Sequence, residues 1–171
     1  MHVGMTVSIR PYRPTDHNAC RGLWAELVET KRELYNDPGD GRDPGAGFED
    51  YLTRLDLSGM WVAEHPEDGV VGFVGLLLSS GRVGEVNPVV VARRHRGQGI
   101  GTSLLEHVAE QARRRSLRQL AVVPDSRNVA AIRCLHSAGF DMLAAVRLTL
   151  DITAPRRDTK DVELHGLQFR Y

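Results

Sequence analysis

Three glycines at alternate positions, in Arg96-Gly97-Gln98-Gly99-Ile100-Gly101-Thr102, stand between the apolar run Val89-Val90-Val91 and an amphipathic pattern that starts near Gly99. Without Cβ atoms the backbone there turns tightly, adopts positive φ and brings its N–H groups up to an anion. The first four N–H groups of the following helix have no internal partner, and the helix dipole adds about half a positive charge at that end. The segment reads as a cradle for a phosphate or pyrophosphate; a glycine-rich surface turn is the plainer alternative.

The flanking sequence places this cradle inside a strand-helix-strand unit. Ile100, Leu104, Leu105, Val108, Ala109 and Ala112 recur at helical spacing up to the cations Arg113-Arg114-Arg115, which suit a C-terminal turn. Leu120 to Val123 follows as a short apolar strand, expected to be buried on both faces and parallel to its neighbour. Upstream, Val83 to Ala92 reads as a strand interrupted by Asn87-Pro88, because proline donates nothing to a ladder. A bulge or a loss of pairing is expected there, which leaves free N–H and C=O groups for a ligand.

The rest of the chain alternates regularly. Val7 and Ile9 make a first strand, and Thr15 or Asp16 caps a helix whose apolar face runs through Ala19, Cys20, Leu23, Trp24, Leu27 and Val28. Asn36 to Gly47 is a polar loop before a shorter helix around Phe48, Leu52 and Leu55. Trp61 to Ala63 and Val70 to Leu78 form a hairpin around His65-Pro66-Glu67-Asp68-Gly69. Asp125, Ser126 or Asn128 caps a further helix carrying Val129, Ile132 and Leu135 and ending at Gly139. Leu143 to Ile152 and Val162 to Tyr171 pattern as two last strands.

At 171 residues, with 22 lysines and arginines balancing 22 aspartates and glutamates, the chain reads as a single domain over 1–171 with no overall field to draw it onto nucleic acid. No run approaches the roughly 18 apolar residues of a membrane span. No signal-like segment opens the chain, and Cys20 and Cys134 read as free thiols on apolar helix faces. A cytoplasmic location is expected, without nucleic-acid or membrane partners.

The order strand, two helices, three-strand meander, helix, strand, helix, two strands, with Arg96-x-x-Gly99-x-Gly101 at its centre, resembles the GNAT superfamily of N-acetyltransferases. A second match is Asn128-Val129-Ala130-Ala131-Ile132-Arg133-Cys134 with Ala138-Gly139-Phe140. The resemblance covers nearly the whole chain. It implies an α/β (α+β) fold with a mixed, mostly antiparallel sheet of six to seven strands, a splayed parallel pair at its centre and about four helices. It implies acetyl-CoA as cosubstrate: the cradle Arg96, Gly97, Gln98, Gly99, Ile100, Gly101 and Thr102 holds the pyrophosphate, Val89 and Val91 pair with the pantetheine arm, and Asn128 bonds that arm from the other side.

Acetyl transfer to an amine needs a neutral nucleophile, so a base is expected. Glu85 is the candidate, six residues before Val91, where some family members carry a glutamate; the even offset puts both side chains on one face unless a bulge changes the parity. Leu135 departs from the family, since many relatives have a tyrosine there to protonate the leaving thiolate and leucine has no proton to give. A thiol pKa near ~8.5 makes unaided departure reasonable. His136 turns away from the site and His95 lies beside the cradle. His65 and His165 show no convergent spacing, so no metal is expected.

Tyr35, Tyr51 and Trp61 are either acceptor-pocket or core residues. Asp37, Asp40 and Asp43 make loop 36–47 a candidate attractor for a cationic acceptor. The acceptor is a primary amine on a small molecule or on a protein or peptide, and the C-terminal strands offer a surface for a homodimer. Two nucleotide-binding alternatives fit poorly: a dinucleotide fold needs Gly-x-Gly-x-x-Gly with a later acidic residue, and a P-loop needs Lys-Ser/Thr after the glycines. The other reading is a non-catalytic acetyl-CoA sensor or binding module on the same fold.

Overall fold

The structure is a computed structural model that describes residues 7–152 and 159–171. Strand β1 (Ser8–Pro11) precedes helices α1 (His17–Leu34) and α2 (Gly47–Arg54). Strands β2 (Met60–His65), β3 (Gly69–Leu78) and β4 (Val83–Val91) follow, then α3 (Ile100–Arg114), β5 (Gln119–Val122), α4 (Val129–Ser137), β6 (Asp161–Leu164) and β7 (Leu167–Arg170). The main sheet has the order β1-β2-β3-β4-β5. Its pairs are antiparallel except β4 with β5, which α3 connects as a parallel crossover.

Helices cover both faces of the sheet, so the middle strands read as near-continuous apolar runs. On one face Trp24 of α1 and Phe48 and Tyr51 of α2 surround one another, with Phe48 and Tyr51 against Phe73 of β3. On the other face α3 lies so close to β3 that a Cβ on Gly72 would stand 3.3 Å from Leu104, and Trp61 meets His107 edge-on. Cys20, Phe48, Met60, Val62, Phe73, Val74, Leu104 and Val108 are fully buried between these layers, and burial pushes the Cys20 thiol up to about 12.

The irregularity expected at Asn87-Pro88 is present. Val74 pairs with Val89 and Leu76 with Val86, so three steps along β4 face two along β3. This extra residue inverts the parity of β4. Gly84, Val86, Val89 and Val91 share the α3 face, whereas Glu85 and Val90 share the opposite face with Phe73 and Leu77. Glu85 and Val91 therefore point to opposite faces despite their even offset.

The mixed fold, the presence of a parallel pair and the four α-helices agree with the sequence reading, but among the described residues the sheet holds five strands where six to seven were expected, and the parallel pair lies at its edge instead of its centre. Leu143 to Ile152 forms no strand. Its alternating apolar side chains face solvent, with Leu143, Leu148, Leu150 and Ile152 each exposed. Val162 to Tyr171 is a separate hairpin, β6 with β7, turned by His165 and Gly166 at φ 54° and 75°; positive φ at both central residues is the turn that matches strand twist. Among the described residues no strand lies beyond β5, which is a half-buried edge, and Val123 is exposed. Residues 153–158 of the expected joining loop lie outside the described residues. Among the described residues no helix is long and apolar enough to cross a membrane.

Asp16 flanks α1 but does not cap it. Its carboxylate accepts from the backbone N–H of Arg13 at 2.8 Å and from the Arg10 guanidinium at 2.8 and 2.9 Å. Arg10 also reaches Glu64 of β2, so this network pins β1 and the start of α1 to the sheet edge. The Arg10 hydrogen bonds hold the Asp16 carboxyl below the usual range, against the opposing effect of desolvation. A depressed folded-state pKa gives stability that is present above the unfolded value, near ~4, and is lost as pH falls through the folded value. Asp16→Asn is expected to lower unfolding free energy by about 2 kcal/mol at pH 7. Denaturant melts should show that gap closing below about pH 4.

Candidate active site

The edge of β4 beyond Val86 is the first component of the site. Strand β5 pairs with Val83 to Val86, so among the described residues the last residues of β4 have no strand partner on that side. Ala92 N–H donates to Val71 O at 2.8 Å in the same register. Bonded and non-bonded pairs alternate along an antiparallel ladder, so the main-chain groups of Val90 face β3 and those of Val89 and Val91 face outward. These are the two residues expected to receive an extended arm. On that side Val91 O accepts from Arg96 Nε at 3.1 Å, while the Arg96 guanidinium also donates to Thr30 Oγ1 at 3.3 Å. Arg96 is thus folded back to brace the strand end against α1.

The glycine cradle follows directly. Gly97 and Gly99 sit at φ 74° and 83°, and nothing lies within 4 Å of where a Cβ would stand on either. Their glycine identity answers to backbone conformation and to an open approach, the two properties a main-chain anion site needs. Gly99 is the N-cap of α3, whose first bond runs from Ser103 N to Gly99 O at 3.0 Å. The N–H groups of Ile100, Gly101 and Thr102 are left at the positive end of a 15-residue helix. Ile100 itself is buried, and Gln98 turns its side-chain amide to Arg94 O at 3.4 Å. Gly101 lies at a junction: a Cβ there would meet Cys134 Sγ at 3.5 Å and Val91 Cγ2 at 3.8 Å.

Helix α4 packs against the start of α3. Asn128 caps it, its Oδ1 accepting from Ala131 N at 3.1 Å. The expected contact to an arm is left to its Nδ2 donors. Cys134 is half-buried beside Gly101 and Thr102. Leu135 is buried in the core, and His136 is exposed.

Glu85 lies on the far side of the bulge. It accepts from Asn87 Nδ2 at 3.2 Å and lines an open cleft of about 410 Å³ with Arg54, Asp56, Leu77 and Ser79. Of the aromatic candidates, Tyr51 and Trp61 are core residues. Tyr35 donates to Asp125 Oδ1 at 2.7 Å and lies under the Arg127 guanidinium, tying the end of α1 to the β5–α4 loop. Burial first, then Asp125, raises its phenol. The loop carboxylates are occupied locally: Asp37 and Asp43 accept from the backbone of Gly39 and Gly45, Asp40 pairs with Arg42 at 3.0 Å, and Asp43 pairs with Arg21.

Two features had no signal in the sequence. Tyr51 lies across Gly75, at the bulge, so closely that a Cβ on Gly75 would overlap the phenol oxygen, and that buried hydroxyl makes no hydrogen bond among the described residues. Second, the fold collects His65, Asp68 and His95 from two loops, with one ligand atom from each lying within 4.8 Å of the others. The histidines are 30 residues apart in the chain, and no local spacing marks them.

A strand edge left open beside the free N–H groups of a helix terminus is the outline of a site for an extended ligand with an anionic end. The family model described as acetyltransferase (GNAT) family matches residues 21–140; the chain belongs to this family and is an acetyltransferase. It is 28% identical over 162 residues to the streptothricin acetyltransferase of Streptomyces lavendulae, covering 80% of this chain and 82% of the relative. Among solved structures it resembles a ribosomal-protein-alanine N-acetyltransferase of Brucella melitensis, at 28% identity and TM-score 0.61, covering 77% of this chain and 83% of that one. It also resembles a putative acetyltransferase of Salmonella typhimurium solved with its cofactor acetyl-CoA, at 27% identity and TM-score 0.61, covering 78% and 79%.

The bulge contact generates a stability prediction. Gly75→Ala is expected to cost about 2 kcal/mol, because the added methyl meets both the Tyr51 hydroxyl and Asn87 O. Tyr51→Phe removes a buried, unbonded hydroxyl and is expected to be neutral or stabilising by up to about 1 kcal/mol. Combined, the two changes should recover part of the Gly75→Ala loss, since Asn87 O stays in place. A double-mutant cycle by denaturant unfolding reads the coupling.

Proposed function

We propose that this chain transfers the acetyl group of acetyl-CoA to a primary amine by direct attack, with Glu85 as general base. The observation that carries this reading is the outward edge of Val89 and Val91 running into the free N–H groups of α3. Together they fit a ligand with an amide-bearing arm and a pyrophosphate, and main-chain groups recognise both parts. The open space at Gly97 and Gly99 admits the pyrophosphate. When bound, acetyl-CoA supplies an activated thioester acyl group. Gly97 to Thr102 hold its charged end, Val89, Val91 and Asn128 orient its arm, and Arg96 keeps the end of β4 in place.

The acceptor enters from the α2 side. The cleft beside Glu85 is of a size that admits a small molecule; the streptothricin acetyltransferase relative supports an antibiotic-like amine, and the equally similar ribosomal-protein-alanine N-acetyltransferase supports a protein amine as the second reading. Arg54, Asp56 and Glu85 supply polar handles for the acceptor. Glu85 takes a proton from the incoming amine, directly or through a water, because an ammonium has no lone pair to attack with. Leu135 donates no proton, so the thiolate departs unaided, which its acidity permits near neutral pH.

Thermal-shift titration tests the cosubstrate. Acetyl-CoA should raise the melting temperature by mass action and NAD should not; the reverse result sinks the reading. Gly99→Ala forces a side chain into φ 83° at the head of α3, and its KM for acetyl-CoA should rise about tenfold through a strain of 1–2 kcal/mol. Thiol release over an amine panel then reports turnover, and failure to exceed the uncatalysed rate with any amine would favour the sensor reading. Glu85→Gln is expected to lower kcat by about 10²-fold, leave acetyl-CoA affinity nearly unchanged, and shift the pH–rate profile upward, since the fraction of free amine then sets the rate. Equal activity in that variant removes Glu85 from the mechanism.

A further inference from the structure

The β2–β3 turn and the 3-10 turn at Arg93–His95 meet on the side of the sheet edge away from Glu85's cleft. His65 ends β2 and is 6% exposed; His95, one residue before the cradle, is also 6% exposed. Their rings lie 5.1 Å apart between centroids. Asp68, at the rim, places Oδ2 3.0 Å from His95 Nε2 and 3.7 Å from His65 Nδ1. Neither ring nitrogen of His95 makes a hydrogen bond of acceptable geometry among the described residues. A buried imidazole held at ion-pair distance from a carboxylate, yet with no well-directed hydrogen bond at either ring nitrogen and a second imidazole beside it, is a set of groups that an ion placed between them satisfies.

The chemistry of the three groups names what that is. His65 Nδ1, the ring nitrogen 3.7 Å from Asp68 Oδ2, accepts long hydrogen bonds from the backbone N–H of Glu67 at 3.3 Å and of Asp68 at 3.2 Å; an ion bound at Nδ1 takes over that lone pair and displaces these two bonds. A tetrahedral ion with donors at 2.0–2.2 Å sets two donors about 3.3–3.5 Å apart. The observed 3.0 and 3.7 Å separations bracket that edge. Two imidazoles and one carboxylate suit zinc or another late first-row divalent ion, and suit magnesium or calcium poorly. The partly exposed carboxylate leaves the fourth position open to solvent.

We propose that His65, Asp68 and His95 form a binding site for a late first-row divalent cation, with Zn²⁺ as the working probe. Bound there, the ion ties the β2–β3 turn to the segment that feeds the anion cradle and completes the coordination of His95. Arg94, whose guanidinium stands 3.7 Å from Asp68 Oδ1, competes for the same carboxylate. The proposal is independent of the acceptor, of Glu85 and of turnover.

The test is a Zn²⁺ titration of the chelator-stripped full-length chain against a chromophoric competitor. One Zn²⁺ per chain with a dissociation constant in the micromolar range or tighter is expected, unaffected by excess Mg²⁺. Asp68→Asn, at the exposed rim and so without a packing role, should weaken binding at least tenfold, as should His95→Gln where it folds. Arg94→Gln should tighten it. His17→Gln, which alters the exposed His17–Glu49 pair, should change nothing. One equivalent of Zn²⁺ should raise the melting temperature of the parent chain and not that of Asp68→Asn. No micromolar binding by the parent, or full affinity in Asp68→Asn, overturns the site.

Discussion

The parting of β4 from β5 after Val86 is the constraint on which the rest of the molecule depends. Parallel pairing ends there because Asn87-Pro88 inserts one residue against β3 and proline withholds a donor. Had the ladder continued, the outward groups of Val89 and Val91 would be bonded to β5 and no ligand edge would exist. The same insertion turns Glu85 to the α2 face while Val91 stays on the α3 face. One irregularity therefore opens a slot for an extended arm and puts a carboxylate across the sheet from it.

Packing elsewhere serves that opening. Gly72 lets α3 settle onto β3, and Gly75 lets Tyr51 settle over the bulge from the opposite side. The sheet is thereby held from both faces at the point where its own hydrogen bonding stops. Arg96 adds a third restraint by bonding both Val91 O and Thr30 of α1. A strand end bonded to β3 on one side only is kept in register, and the helix terminus that begins three residues later inherits its position.

Much of this was legible in the sequence because it is written in local terms. Alternate glycines after an apolar strand, a proline inside a strand and an asparagine before a helical run each act within a few residues, and each was found where expected. The side to which Glu85 points was not legible, since parity across a bulge depends on which strand carries the extra residue. Leu143 to Ile152 has the alternation of a strand but no strand beside it to complete a ladder, and alternation alone supplies no partner. The single strand expected over Val162 to Tyr171 missed the His165-Gly166 turn, whose glycine is a hairpin signal but whose histidine is an unusual residue at positive φ. The meeting of His65 with His95 is tertiary throughout, created when a hairpin turn and a 3-10 turn converge.

In the proposed function the two halves of the site differ in what recognises their ligands. On the cradle side the contacts come from main-chain N–H and C=O groups, whose positions follow from φ at Gly97 and Gly99 and from the register of β4. On the cleft side they come from side chains, Arg54, Asp56 and Glu85, mounted on an exposed helix end, a loop and a strand. A side-chain substitution in the cleft changes shape and charge without altering any backbone angle of the cradle. On the proposed reading the acceptor half can therefore be re-specified while the carrier half stays intact. Leu135 fits the same division: it belongs to the core under α4, where side-chain identity is set by packing, and the proposed mechanism leaves the proton chemistry to groups that face the cleft.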